Sequence, residues 1–315
     1  MSDWTSLDAW IILTGALIGM ACALPGLYLL LMRRSMMGDA ISHAVLPGLA
    51  IAFLVTGSRE PWAMLMGAAA AGLTTALLSQ WIQRLGGIED NASLGVVFCS
   101  LFALGLILIR LAADHVDLDP NCVLYGSLET AVIDDGPVPQ VVWMSGGILL
   151  LNLLLAAVFY KELRIAAFDP ALAQTLGLRP ELIRQSLNVV VSVTAVLAFE
   201  SVGSILVIAI LVVPAATAGL LSRRLGPMIA LTLLIAAICA PLGHWLAVEA
   251  GPALAGRWLG RDIGALSTAG MMAVAGGLLL ACAIAFDRAK QFASPSGARR
   301  GSEVFATASA ENSKL

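Results

Sequence analysis

Long apolar runs alternate with short polar connections over almost the whole chain, and the runs have the length of helices that cross a bilayer. A crossing takes about 20 mostly apolar residues for about 30 Å of hydrocarbon. The first run, Ile11–Met32, carries no charge, and only Asp3 and Asp8 are ionisable before it. With no basic residues ahead of it, and too long for the apolar stretch of a cleavable signal, it reads as a retained span. The pattern predicts further helices over Met36–Thr56, Trp62–Ile82, Leu94–Ile109, Val138–Tyr160, Leu187–Phe199, Ile205–Leu221, Met228–Val248 and Ile263–Phe286. The expected fold is therefore an all-α transmembrane bundle of about nine spans. At Glu200–Ser204 two apolar runs meet within a few residues, so they form two spans, one full and one short span, or one broken helix.

Composition agrees and removes the soluble classes. The chain is 59% hydrophobic and 12% charged, with a mean hydropathy of +0.90, whereas soluble domains carry about 25% charged residues. With 18 basic against 21 acidic residues, there is no basic excess to hold nucleic acid. The five cysteines are scattered without a CxxC pair, so neither a disulfide framework nor a thiolate metal site is indicated.

Charge also sets an orientation. If the connection after the first span is inside, 14 of the 18 Lys and Arg residues fall inside, and only Arg59, Arg110, Arg257 and Arg261 fall outside. The positive-inside rule then places the N-terminus outside and the C-terminus inside. A transmembrane domain is expected over residues 1–290, with a cytoplasmic connection at 161–184 and a disordered cytoplasmic tail over 291–315. Within the connection, Asp169-Pro170 suits a helix start, because Asp caps free N–H groups and Pro fits the first turn. Gly177 suits its end. The short helix is either a docking surface or a connector lying on the membrane.

Ionisable residues inside a span are costly and ask for a reason. The second span begins MMGDAISHAVLPGLAIAF, where Asp39 and His43 are four residues apart. That spacing puts a carboxylate and an imidazole on one helix face, and His43 lies about 13 Å along a helix counted from Arg34. Pro47 cannot donate to the His43 carbonyl, which frees that oxygen. Carboxylate, imidazole and carbonyl together suit a divalent transition ion. Alternatively, Asp39 caps the helix and His43 bonds a neighbouring span. Two ligands are few, but an ion that must leave again needs weak sites. Two copies of the chain facing each other would supply four.

Three segments, GDAISHAVLPGLAIAF (Gly38–Phe53), KELRIAAFDPALAQTLGL (Lys161–Leu178) and VGSILVIAILVVPAATAGLL (Val202–Leu221), resemble the integral-membrane permease of bacterial manganese/zinc/iron ABC importers. The resemblance implies a homodimer in the bacterial cytoplasmic membrane, two ABC ATPase subunits below it and an extracytoplasmic metal-binding protein above. It implies that Asp39 and His43 are the metal ligands, and that Asp169, Pro170 and Gly177 belong to the helix that couples to the ATPase. No cofactor is held permanently; the manganese, zinc or iron ion is cargo.

Three further residues are auxiliary candidates. Glu200 is expected near the outer surface, in reach of water. His244, near the outer end of the eighth span, is either a hydrogen-bonded helix histidine or a ligand on the entry path. His115, in the acidic loop Asp114–Asp119, would attract cations or is simply solvated. Since no G-x-x-x-x-G-K-[ST] run occurs, the chain is expected to be a permease rather than an enzyme, with ATP hydrolysis on a partner. The competing function is a proton-coupled metal transporter with no ATPase. An intramembrane metalloenzyme is disfavoured because there is no HExxH run and there are only 3 histidines.

Overall fold

The structure, a computed structural model, describes residues 6–34, 36–57, 61–112, 128–133, 138–259, 264 and 266–293. Among these residues every regular element is helical. The longer helices are α1 (Ser6–Leu31), α2 (Met36–Thr56), α3 (Pro61–Gly86) and α4 (Asp90–Ala112). A single turn, α5 (Leu128–Ala131), precedes α6 (Gln140–Val158). Then come α7 (Tyr160–Phe168), α8 (Pro170–Thr175), α9 (Pro180–Val202) and α10 (Ser204–Leu221). Next is α11 (Leu225–Trp245), which runs through a π-helical turn (Leu246–Ala250) into α12 (Gly251–Leu259); the last helix is α13 (Thr268–Ala293).

Each predicted apolar run overlaps a helix, the last from Thr268 rather than Ile263, and six helices among the described residues are long and apolar enough to cross a membrane. The connection 161–184 is more ordered than its polarity suggested. Most of it is helical, and α9 begins at Pro180 rather than Leu187. Pro180 in the first turn and Glu181 just after it supply the starting signal that hydropathy does not register. At the other end, α13 carries the chain in helix to Ala293, past the expected start of the tail at 291; residues 294–315 of that tail lie outside the described residues.

The joint at Glu200–Ser204 is a helix break one residue wide. Gly203 adopts φ +82°, ends α9 and precedes α10, while its own N–H donates to Phe199 O at 3.1 Å. The joint is buried: Phe199, Ser201 and Val202 are each at most 5% exposed.

A helix that is apolar on every face belongs inside a bundle, and α1 sits there, packed by α6, α9, α10 and α11. Leu24, Leu27 and Tyr28 are essentially without exposure. Asn152 of α6 donates to Ala21 O (2.9 Å) and Thr194 Oγ1 (3.0 Å), tying α6, α1 and α9 together. Such interhelical bonds hold spans in a medium where apolar burial alone does not drive association.

The helix carrying Asp39 and His43 is gripped by its neighbours. α2 packs against α3 and α4, and the axes approach through small residues. A Cβ on Gly48 would run into the Gly67 carbonyl oxygen and come within 2.7 Å of Ala71 Cβ, while a Cβ on Gly105 would come within 2.8 Å of Pro47 Cδ. The obstacle at Gly48 is backbone and cannot swing aside. Gly48→Val is therefore expected to destabilise the fold by about 1–3 kcal/mol. A lowered melting temperature of the purified variant in detergent checks this; an unchanged melt would mean that α2 and α3 do not approach so closely.

Candidate functional site

Asp39 lies in the first turn of α2, and His43 follows one turn later on the same side of the helix. The side chain of Asp39 is outside the described residues. The imidazole of His43 is half-buried and lies between two phenyl rings of α4, Phe98 and Phe102. Both ring centroids are 5.3 Å away, with the Phe98 ring tilted at 42° and the Phe102 ring edge-on at 81°. These are favourable aromatic geometries. Two rings four residues apart clasp the imidazole from one helix, and the contact of Pro47 with Gly105 fixes how closely that helix stands. The clasp restricts ring rotation, so the imidazole nitrogens face a set direction.

Pro47 is inside α2 and has no N–H, so the His43 carbonyl loses its regular helical donor as predicted. A groove of ≈ 520 Å³ opens between α2, α3 and α4, lined by Ala44, Pro47, Gly48, Ile51, Gly67 and Leu104 among others, and His43 is not in its wall. Among the described residues, no three His, Cys, Asp or Glu side chains are grouped so as to hold a metal ion.

The short helix in the connection has the caps its sequence calls for. Asp169 accepts a bond from Leu172 N–H at 2.9 Å, and Pro170 occupies the first turn of α8. Gly177 has φ +79°, a left-handed conformation that favours glycine. It closes the end of the helix: Gly177 N–H donates to Gln174 O and Leu178 N–H to Ala173 O, each at 3.0 Å. Only Ala173 is buried; Phe168, Leu172 and Leu176, spaced four apart, are 56%, 48% and 59% exposed. Phe168 ends α7, Leu172 lies within α8 and Leu176 caps it, so exposed apolar side chains run along this part of the connection.

Of the auxiliary candidates, His244 alone has its side chain among the described residues. His244 is buried at the end of α11, with Nε2 3.2 Å from Asp8 Oδ1 and Nδ1 3.3 Å from Thr268 Oγ1. The Thr268 N–H in turn donates to Glu129 Oε1 at 2.7 Å. This network ties α1, α5, α11 and α13 at one end of the bundle and matches the hydrogen-bonded reading of His244. Glu200 is in the last turn of α9, and its side chain is outside the described residues, as is the whole loop with His115. Sequence reasoning missed Phe98 and Phe102. Phenylalanines four apart in an apolar span are what any core helix shows, so the pair carries no signal until α4 is seen beside α2.

Comparison with known proteins adds to this geometry. The profile of the ABC 3 transport family matches residues 6–256. The manganese transport system membrane protein MntD of Bacillus subtilis (strain 168) is 41% identical over 292 residues, covering 90% of this chain and 93% of that one. The zinc transport system membrane protein TroD of Treponema pallidum (strain Nichols) is 38% identical over 251 residues, covering 78% and 68%. Among solved structures, PsaBC from Streptococcus pneumoniae in complex with Fab superposes with a TM-score of 0.71 at 28% identity, covering 93% and 94%.

Proposed function

The chain belongs to the ABC 3 transport family, and from that premise we propose that it is the membrane permease of an ATP-driven importer of divalent transition-metal ions in a bacterial cytoplasmic membrane. The observation that carries the metal assignment is the imidazole of His43, oriented by Phe98 and Phe102 on a span that also bears Asp39 one turn away. A ligand pair of this kind suits manganese, zinc or iron, and relatives at 41% and 38% identity are named for manganese and zinc transport. Membership of an ABC family does not favour the proton-coupled alternative.

The ion reaches the site from an extracytoplasmic metal-binding protein. Both ligands must be deprotonated to take it. Two copies of the chain, arranged about an axis beside α2, bring two Asp39–His43 pairs to one ion. Nine crossings, with the N-terminus outside, put the connection 161–184 in the cytoplasm, where two ATPase subunits meet α8. The pairing of Asp169 with Leu172 N–H and the exposed Phe168, Leu172 and Leu176 support that docking. The residues 291–315 form the cytoplasmic tail. ATP-driven closure of the ATPases moves α8, tilts the spans joined to it and changes the side to which the ion site opens.

The test is uptake by the chain reconstituted in liposomes with its ATPase, with manganese, zinc and iron in competition. Uptake that needs ATP and is blocked by the competing ions is the expected result. Uptake driven by a proton gradient without ATP would overturn the assignment.

A further inference from the structure

A cavity of ≈ 220 Å³ lies between α1, α6, α7 and α9, where the α6 span ends and the polar connection begins. Leu24, Leu155, Leu163, Leu187 and Val190 make most of its wall apolar. Four polar side chains break that pattern, of which Asn152 and Ser186 donate to Ala21 O, Thr194 Oγ1 and Leu182 O, and the other two stand apart. Tyr28, 1% exposed, contributes a phenol, and Glu162 contributes a carboxyl group. Neither the Tyr28 hydroxyl nor Glu162 Oε2 has a hydrogen-bond partner. Buried polar atoms almost always have one, and an unpartnered carboxylate oxygen away from water is among the most costly exceptions.

The Glu162 oxygen lacks a donor, and the Tyr28 hydroxyl, which can donate or accept, has no partner either. A carboxylate oxygen only accepts, and an ammonium group only donates, with three N–H bonds to distribute. An ammonium is also attracted by aromatic rings, and Tyr28 and Phe159 stand in the same wall. The mouth of the cavity carries Phe159 and Leu182, 49% and 51% exposed, so it opens sideways toward whatever surrounds the spans. Glu162 is flanked in sequence by Lys161 and Arg164, which marks the polar edge of the membrane, while Leu24 and Leu155 belong to spans. The cavity thus has a polar end at the membrane boundary and an apolar body within the hydrocarbon. It exceeds the roughly 150 Å³ that accepts a benzene ring, yet it is too small for a whole lipid.

We propose that this cavity binds a membrane lipid with a primary-ammonium headgroup, the ammonium donating to Glu162 and Tyr28 and the first part of the lipid's apolar body lying along the aliphatic wall. The ammonium neutralises the carboxylate at the place where it is buried. This inference does not rest on the metal assignment, because its site shares no residue with Asp39, His43 or α8.

The test uses the purified full chain in nanodiscs of phosphatidylethanolamine, phosphatidylcholine and phosphatidylglycerol in equal parts, with retained lipid counted by native mass spectrometry. Phosphatidylcholine carries the same positive charge without N–H donors, so the comparison isolates the hydrogen bonds. Phosphatidylethanolamine is expected to be retained about tenfold over phosphatidylcholine, as loss of a charge-assisted bond implies. Glu162→Gln should remove that preference, and Tyr28→Phe should reduce it about threefold, with the melting temperature of each variant as the folding control. If Glu162→Gln does not fold, Tyr28→Phe and the wild-type ratio decide by the same criterion. Equal retention of the two zwitterionic lipids, preference for phosphatidylglycerol, or an unchanged preference in the variants would overturn the proposal.

Discussion

His43→Ala is expected to abolish metal uptake, by more than about 100-fold, while leaving the chain inserted and bound to its ATPase. Changes to groups that only orient a metal ligand typically cost about 10- to 100-fold in affinity or activity, so removal of the ligand itself should cost more. In the proposed site each chain supplies two side-chain ligands, so loss of the imidazole removes half of its share. Asp39→Ala should behave alike. The clasp around the imidazole adds a graded test. Phe98→Leu keeps an apolar filling but removes one of the two ring contacts at 5.3 Å. The imidazole then turns more freely, and uptake should fall by about 10-fold, less than for loss of the imidazole. Uptake of radioactive manganese or zinc into proteoliposomes, normalised to complex recovered, reads all three variants. Normal uptake by His43→Ala would remove the site. A larger loss for Phe98→Leu than for His43→Ala would mean that α4, not α2, carries the ion contacts.

Much of the helical framework was legible in the sequence because in a bilayer the backbone has few options. A run of apolar residues long enough to cross must satisfy its own N–H and C=O groups, and a helix does so. The Asp169-Pro170 start and Gly177 end of α8 were legible for a related reason, since capping depends on residues within one turn. Contacts between distant segments were not. Asp8 and His244 meet at 3.2 Å across most of the chain, and nothing local to either residue marks the partner. Phe98 and Phe102 reach His43 only because Gly105 lets α4 approach Pro47. The π-helical turn after Trp245 and the single-residue break at Gly203 are also products of packing. The sequence marked a discontinuity near residues 200–204, but whether the chain turned there or merely broke depended on neighbours that hydropathy cannot represent.

The proposed coupling role of α8 gives the second large effect. Gly177→Pro attacks its closed end twice. Proline has no N–H to donate to Gln174 O, and its ring fixes φ near −65°, far from the +79° that Gly177 adopts. Leu178 N–H then cannot keep its 3.0 Å bond to Ala173 O, and the last turn of α8 opens. Because Ala173 is the one buried residue of α8, the helix is held to the protein at few points, so this local change should redirect α8 without unfolding the spans. The exposed Leu172 and Leu176 would then change position relative to Phe168. If those side chains carry force from the ATPase, the complex should still hydrolyse ATP while ions moved per ATP fall by about 10-fold or more, the effect expected when a transmitting contact is misplaced by about 1 Å or more. Parallel measurement of phosphate release and metal uptake in the same liposomes separates the two. Equal falls in both rates would mean that Gly177 serves folding alone. Unchanged capture of the ATPase by a chain lacking Asp169–Gly177 would show that the docking surface lies elsewhere on the connection.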